Sequence, residues 1–323
     1  MWLAVIAVLI GLAILVWSAD VFIDGATTLA NHLRLPSFLV GVVVLGLGTS
    51  APEMVVSVLA ALNGSPELAL GNAYGSNIMN IALVLGTTAL ISPIVIQKSI
   101  VKRDLPLLLL ITLLAAWQLR DGQLSQTDGA LLLLGLVAVL TFQILVALRE
   151  VGKKENKKNN VNGEAQAAGL FRGLASLIIG MLIIVFSSRA IVWGAVELAT
   201  YWGLSELIIG LTIVAVGTSL PELVASLSAA RKGEHDMALG NIIGSNLFNT
   251  LGVVGLAALI APINADPIIL SRDVLAMVLL TVLLVGLCTF CFISKRQFGR
   301  ISGSILLLFF IGYTVILSQT FNL

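Results

Sequence analysis

Charge is scarce in this 323-residue chain: Asp, Glu, Lys and Arg make up 11% of it, against roughly 25% in soluble domains. Eighteen Lys and Arg against seventeen Asp and Glu leave a net charge of +1, so no basic surface points to nucleic acid. There are two cysteines, too few for a secreted disulfide scaffold. They form a C-x-x-C, Cys288 and Cys291, inside an apolar helix, where small apolar fillers are expected rather than a redox or metal pair. The two histidines, His32 and His235, fall near helix ends. A Ser/His dyad within a membrane is therefore excluded, and with it an intramembrane hydrolase. Short alternating segments are also missing, which excludes a β-barrel.

Apolar residues, by contrast, make up 58% of the chain, and mean hydropathy is +1.06. A bilayer-spanning helix needs about 20 apolar residues, and helices satisfy their own backbone in lipid. Ten runs qualify as helices: Trp2–Thr28, Ser37–Leu62, Leu68–Ile91, Leu105–Leu119, Asp128–Leu148, Leu170–Thr200, Ser205–Ala230, Met237–Ile260, Val274–Ile293 and Ile301–Leu317. No Lys or Arg precedes the first run, so it reads as a span rather than a signal peptide. The fold class is an all-α integral membrane protein of the cytoplasmic membrane. Fifteen Lys and Arg, from Arg34 to Arg300, fall in the segments on one side, and only Arg120 and Arg272 on the other. The positive-inside rule then puts both termini outside and the segment around Lys153–Asn160 in the cytoplasm.

The chain also repeats itself. GLGTSAPE at Gly46–Glu53 returns as AVGTSLPE at Ala215–Glu222, and ALGNAYGSNIMN at Ala69–Asn80 returns as ALGNIIGSNLFN at Ala238–Asn249, both at an offset of 169 residues. Each copy holds five spans, an odd number, so the second enters the membrane from the opposite side. Two inverted five-helix repeats are expected, residues 1–150 and 170–323, joined by a polar cytoplasmic linker at 151–169. Such repeats place a substrate site near the midplane.

The polar residues inside the repeats carry the chemistry. Glu53 and Glu222 lie within apolar helices, where a carboxylate costs several kcal/mol unless paired or bound to a cation. Pro52 and Pro221 cannot donate to the carbonyls of Gly48 and Gly217, and backbone left open at that depth is tolerated beside a cavity or ligand. Thr49 and Glu53 are four residues apart on one helix face, as are Ser76 and Asn80, and Ser245 and Asn249. The result is an all-oxygen set, suited to hard cations such as Na⁺ and Ca²⁺ and not to zinc or copper. Gly71 and Gly75, with Gly240 and Gly244, form G-x-x-x-G motifs that predict close helix packing.

GTSAPE…GNAYGSNIMN and GTSLPE…GNIIGSNLFN resemble the α-repeats of the sodium/calcium exchanger family, within the cation/calcium antiporters, in its compact bacterial form. The resemblance implies ten helices, with the second, third, seventh and eighth around the ions and the long first and sixth sliding across them. It implies Glu53 and Glu222 as the principal Ca²⁺ carboxylates. Thr49, Ser50, Thr218 and Ser219 supply hydroxyl and carbonyl oxygens, and Ser76 and Ser245 flank them at Na⁺ sites. Asn80 and Asn249 take the central position, and the carbonyls of Gly46 and Ala215 are further ligands. The potassium-dependent branch carries Asp where this chain has Asn249. The implied activity is Na⁺/Ca²⁺ antiport with Ca²⁺ extrusion driven by the Na⁺ gradient. No cofactor, nucleic acid or obligate protein partner is expected, and the bilayer is the surrounding partner. The rivals are an H⁺/Ca²⁺ or K⁺-dependent antiporter and a passive channel. Finally, Asp20 and Arg189 occupy one repeat position with opposite charges. Either they pair across the first and sixth helices in one transport state, despite an offset of roughly 10 Å, or each snorkels separately.

Overall fold

A computed structural model describes residues 1–154, 163–203 and 215–320. Its helices are α1 (Trp2–His32), α2 (Ser37–Leu62), α3 (Glu67–Ile91), α4 (Ile100–Asp104 continuing as Leu105–Gln118) and α5 (Gln126–Lys154). There follow α6 (Gly163–Tyr201), α7 (Ala215–Thr218, then Leu220–Arg231), α8 (His235–Ile260), α9 (Ile269–Ile293) and α10 (Arg300–Thr320). Among the described residues eight helices are long and apolar enough to cross a membrane: α1, α2, α3, α5, α6, α8, α9 and α10. The start of the seventh predicted run, and residues 155–162 of the predicted linker, lie outside the described residues.

The helix ends repeat as the sequence does. Gly64 and Gly233, 169 residues apart, take φ values of 81° and 80° and stop α2 and α7. In each case the next amide folds back five residues: Ser65 donates to the Ala60 carbonyl and Glu234 to that of Ala229. This left-handed cap suits glycine, which has no Cβ to clash. Among the described residues five helical turns are widened to π geometry: Gly41–Leu45, Asn80–Leu85, Ile100–Asp104, Phe248–Val253 and Ile269–Val274. The second and third of these have counterparts near 169 residues on, in the fourth and fifth.

The chain forms two compact units, each drawing on both sequence repeats: Met1–Thr49 with Thr141–Asn241, and Ser50–Leu140 with Ile242–Leu323. In the first unit α1 and α6 run antiparallel along their length. Glycines permit this closeness: a Cβ on Gly180 would come 2.6 Å from the Phe22 amide nitrogen, and one on Gly194 2.7 Å from the Ala4 carbonyl. Between helices in lipid, dispersion contacts of this kind replace the hydrophobic effect as the source of association. The start of α2 crosses the start of α8, so closely that a Cβ added to Gly41 would come 3.0 Å from the Gly240 Cα. The expected close packing is thus present at Gly240. Among the described residues nothing approaches Gly71 or Gly75, and Gly210, the repeat copy of Gly41, lies outside them.

Asp20 and Arg189 do not pair in this structure. With Phe22 opposite Gly180, Arg189 lies roughly 10 Å further along the axis. Asp20 instead turns to α7. Its Oδ1 accepts from the Ser228 hydroxyl at 2.5 Å, and its backbone carbonyl accepts from Lys232 Nζ at 3.0 Å. Lys232 also forms an ion pair with Asp24 at 2.6 Å.

In the second unit one crossing occurs twice. Gly303 of α10 fits against the Gly86 carbonyl of α3, at 2.6 Å from an added Cβ, and Gly129 of α5 against the Gly255 carbonyl of α8, at 2.8 Å. Short antiparallel ladders lie beside these crossings: Ile94 with Phe298, and Gln123–Leu124 with Ile263–Asn264. Cys288 and Cys291 are free and buried, as fillers would be. In the first turns of α4 and α9 the dipeptide Arg-Asp repeats. Arg103 Nε meets Asp104 at 2.8 Å, and Arg272 Nε meets Asp273 at 2.7 Å, with Tyr313 donating to Asp273 at 2.7 Å.

Candidate cation site

The first unit carries Gly46, Thr49, Ala215, Thr218, Ser219 and Glu222 of the predicted set. Thr49 is buried on α2 and donates to the Leu45 carbonyl at 3.1 Å. Ala215 and Thr218 bound the short first part of α7. Thr218 is exposed, unlike its buried copy Thr49. Ser219 has φ −92° and ψ 5° and separates the two parts of α7. There Pro221 sits in the first turn of a new helix, where its missing N–H has no partner to lose. Its copy Pro52 instead lies inside the continuous helix Gly46–Leu62. The same motif thus gives a break in α7 and an unbroken helix in α2. Glu222, one residue after Pro221, is 2% exposed.

The second unit carries Ser50, Glu53, Ser76, Asn80, Ser245 and Asn249, all buried. Ser50 and Glu53 come from α2, Ser76 and Asn80 from α3, and Ser245 and Asn249 from α8. Two amide bonds hold these helices together. Asn72 Nδ2 donates to Ser57 Oγ at 3.2 Å, joining α3 to α2, and Asn77 Nδ2 donates to Thr250 Oγ1 at 2.8 Å, joining α3 to α8. Asn80 opens the π turn of α3, and Asn249 lies inside that of α8. π turns recur at functional sites because they redirect one side chain without ending the helix.

Several of the buried polar atoms left without a hydrogen-bond partner fall on the predicted residues. They include Ser50 Oγ, Glu53 Oε2, Asn80 Oδ1 and Nδ2, Ser219 Oγ and Asn249 Oδ1. A buried oxygen with no partner costs about 1–3 kcal/mol. Four such oxygens, on Ser50, Glu53, Asn80 and Asn249, lie in the second unit and fit a hard cation, which oxygen donors accommodate without nitrogen or sulfur. Among the described residues no cluster of three His, Cys, Asp or Glu offers a transition-metal site.

Asn72 and Asn241 were missed by the sequence reading. Asn241 is fully buried and donates to Ser226 Oγ at 2.9 Å and to the Glu222 carbonyl at 3.3 Å. The signal was present: Asn72, Ser76 and Asn80 are spaced by four, as are Asn241, Ser245 and Asn249, so each series lines one helix face.

Comparison with known proteins agrees with this architecture. The model of the sodium/calcium exchanger protein family matches residues 3–145 and 172–319. The putative antiporter CaxA of Alkalimonas amylolytica is 42% identical, covering 98% of this chain and 99% of its own. The sodium/calcium exchanger MaX1 of Methanosarcina acetivorans is 30% identical over 96% and 97%. Among solved structures, the sodium-calcium exchanger NCX_Mj soaked with Na⁺ and Sr²⁺ superposes with a TM-score of 0.81 at 32% identity, covering 96% of both chains. An all-helical membrane chain with paired acidic motifs, matched nearly end to end, is a member of the sodium/calcium exchanger family.

Proposed function

We propose that this protein is a secondary antiporter that exchanges Na⁺ for Ca²⁺ across the cytoplasmic membrane, the Na⁺ gradient driving Ca²⁺ out. The observation that carries the reading is the set of buried, unpartnered oxygens that Ser50, Glu53, Asn80 and Asn249 bring to the second unit. In this reading ten spans form two inverted repeats, 1–150 and 170–323, with both termini outside and the linker 151–169 cytoplasmic. The recurrence of the glycine caps, the π turns and the short ladders at repeat-related positions supports it.

Glu53 and Glu222 bring two negative charges, enough to neutralise one Ca²⁺ or two Na⁺. Thr49, Ser50, Thr218 and Ser219 supply hydroxyl and carbonyl oxygens beside them. Ser76 and Ser245 flank them for Na⁺, Asn80 and Asn249 stand at the centre, and the carbonyls of Gly46 and Ala215 complete the set. Shared oxygens prevent Ca²⁺ and a full Na⁺ load from binding together. That competition, with a barrier to movement of the empty carrier, is sufficient for antiport by alternating access.

Vesicle flux tests the reading. ⁴⁵Ca²⁺ uptake into reconstituted vesicles should follow an imposed Na⁺ gradient and ignore K⁺ and H⁺ gradients. Uptake driven by H⁺ alone would convert the assignment to a proton/calcium exchanger. Ca²⁺ flux without any counter-ion would mark a channel.

Asn249 gives a second test. Its Oδ1 is buried and unpartnered, so Asn249→Asp places a third negative charge there. The expected result is steeper inhibition as pH falls, because a third carboxylate raises proton affinity, together with a new sensitivity to K⁺. Unchanged pH and K⁺ profiles would remove Asn249 from the site.

A further inference from the structure

We propose that Asn241, with Asn72 as its repeat copy, is a positioning residue for the ion site: its amide bolts α8 to α7 at Glu222 and one turn beyond, fixing where that glutamate presents its carboxylate. The inference rests on the reading of Glu222 as an ion ligand. Asn241 Nδ2 donates to the main-chain carbonyl of Glu222 at 3.3 Å and to Ser226 Oγ at 2.9 Å. Ser226 follows Glu222 by four residues, so both lie on one face of α7. One planar amide therefore holds the glutamate's own backbone and the next turn below it. Its Oδ1 accepts a longer bond, 3.4 Å, from the Thr49 hydroxyl on α2. Asn241 and Ser226 are both fully buried, so these bonds are made without competing water.

The other unit repeats the arrangement independently. Asn72 Nδ2 donates to Ser57 Oγ at 3.2 Å, and Ser57 follows Glu53 by four residues. A bond that recurs at equivalent positions in both repeats tracks the glutamates rather than local packing. The chemistry also selects the residue type. Two N–H donors and one acceptor on a rigid plane are what an amide has and a leucine of similar size lacks.

A brace that only stabilised the fold would lower protein yield and maximal rate together. A positioning residue changes apparent affinity. In reconstituted vesicles, Asn241→Leu should raise the half-saturating Ca²⁺ by about tenfold while the maximal rate stays within about twofold. Ser226→Ala, which removes one of the two acceptors, should give a smaller rise, and the double variant should be no worse than Asn241→Leu alone. Ca²⁺-dependent thermal stabilisation of the purified protein should weaken in parallel. Unchanged half-saturation with a fallen maximal rate and melting temperature overturns the proposal. If Asn241→Leu does not fold, Asn72→Leu and Ser226→Ala carry the same readout, and unchanged half-saturation in both overturns it equally. Glu222→Gln, measured alongside, separates the two claims. If it retains full Ca²⁺ affinity, the ion-site reading itself fails. If it loses affinity while Asn241→Leu does not, only the positioning role fails.

Discussion

Replacing Glu53 or Glu222 by Gln should abolish Ca²⁺ uptake while leaving the protein folded. The amide keeps the shape of the carboxylate and removes its charge. In the proposed function two charges meet a divalent ion, and loss of one from a poorly solvated site costs several kcal/mol, which corresponds to more than about a hundredfold in affinity. Folding should survive because Glu53 Oε2 has no protein partner to lose. The measurement is ⁴⁵Ca²⁺ uptake in vesicles beside size-exclusion profiles of the detergent-solubilised variants. Near-normal exchange in either variant with a normal profile would sink the ion-site assignment.

The second large effect is on stability. Asp104 and Asp273 each pair with the preceding arginine, and the Asp104 side chain has no exposure at all. Removing one partner of a buried pair leaves an uncompensated charge, at about 3–5 kcal/mol. Asp104→Ala should therefore lower the melting temperature of the purified protein by roughly 10 °C or abolish its yield. The double variant Arg103→Leu/Asp104→Leu should recover much of that loss, since no lone charge remains. Asp273→Ala should fall at least as far as Asp104→Ala, because the arginine it leaves is 14% exposed against 23% for Arg103, and Tyr313 loses its acceptor. A double variant less stable than the single one would contradict this account.

Much of this was legible in one dimension. Apolar runs of helical length define spans because a bilayer leaves the backbone no other donors or acceptors. Nine of the ten predicted runs match observed helices to within several residues. The exception is the seventh, whose predicted start lies outside the described residues. The 169-residue repeat singled out Glu53 and Glu222 because a carboxylate in an apolar helix is too costly to be incidental. Four-residue spacing put Ser76 with Asn80 and Ser245 with Asn249 on shared faces, and the unpartnered atoms fall on members of both pairs.

The sequence left two outcomes open for Asp20 and Arg189, a pair in one transport state or two separate side chains, because repeat equivalence does not place two residues side by side. The antiparallel register of α1 on α6 decides that, and it sends Asp20 to Ser228 on α7.

Periodicity and cost are written in the residues: the spans, their repetition, and the buried polar residues no lipid-facing helix would keep. Packing settled the rest. It put Asn80 and Asn249 in π turns, which depend on how neighbouring helices press on a turn. It also gave two equal motifs different backbones: Pro52 within an unbroken helix and Pro221 at the start of a new one. A proline lacks the backbone N–H in either place, but only inside a helix does that remove a hydrogen bond. Whether the helix bends around that loss or breaks is settled by what packs against it, which the local sequence does not contain.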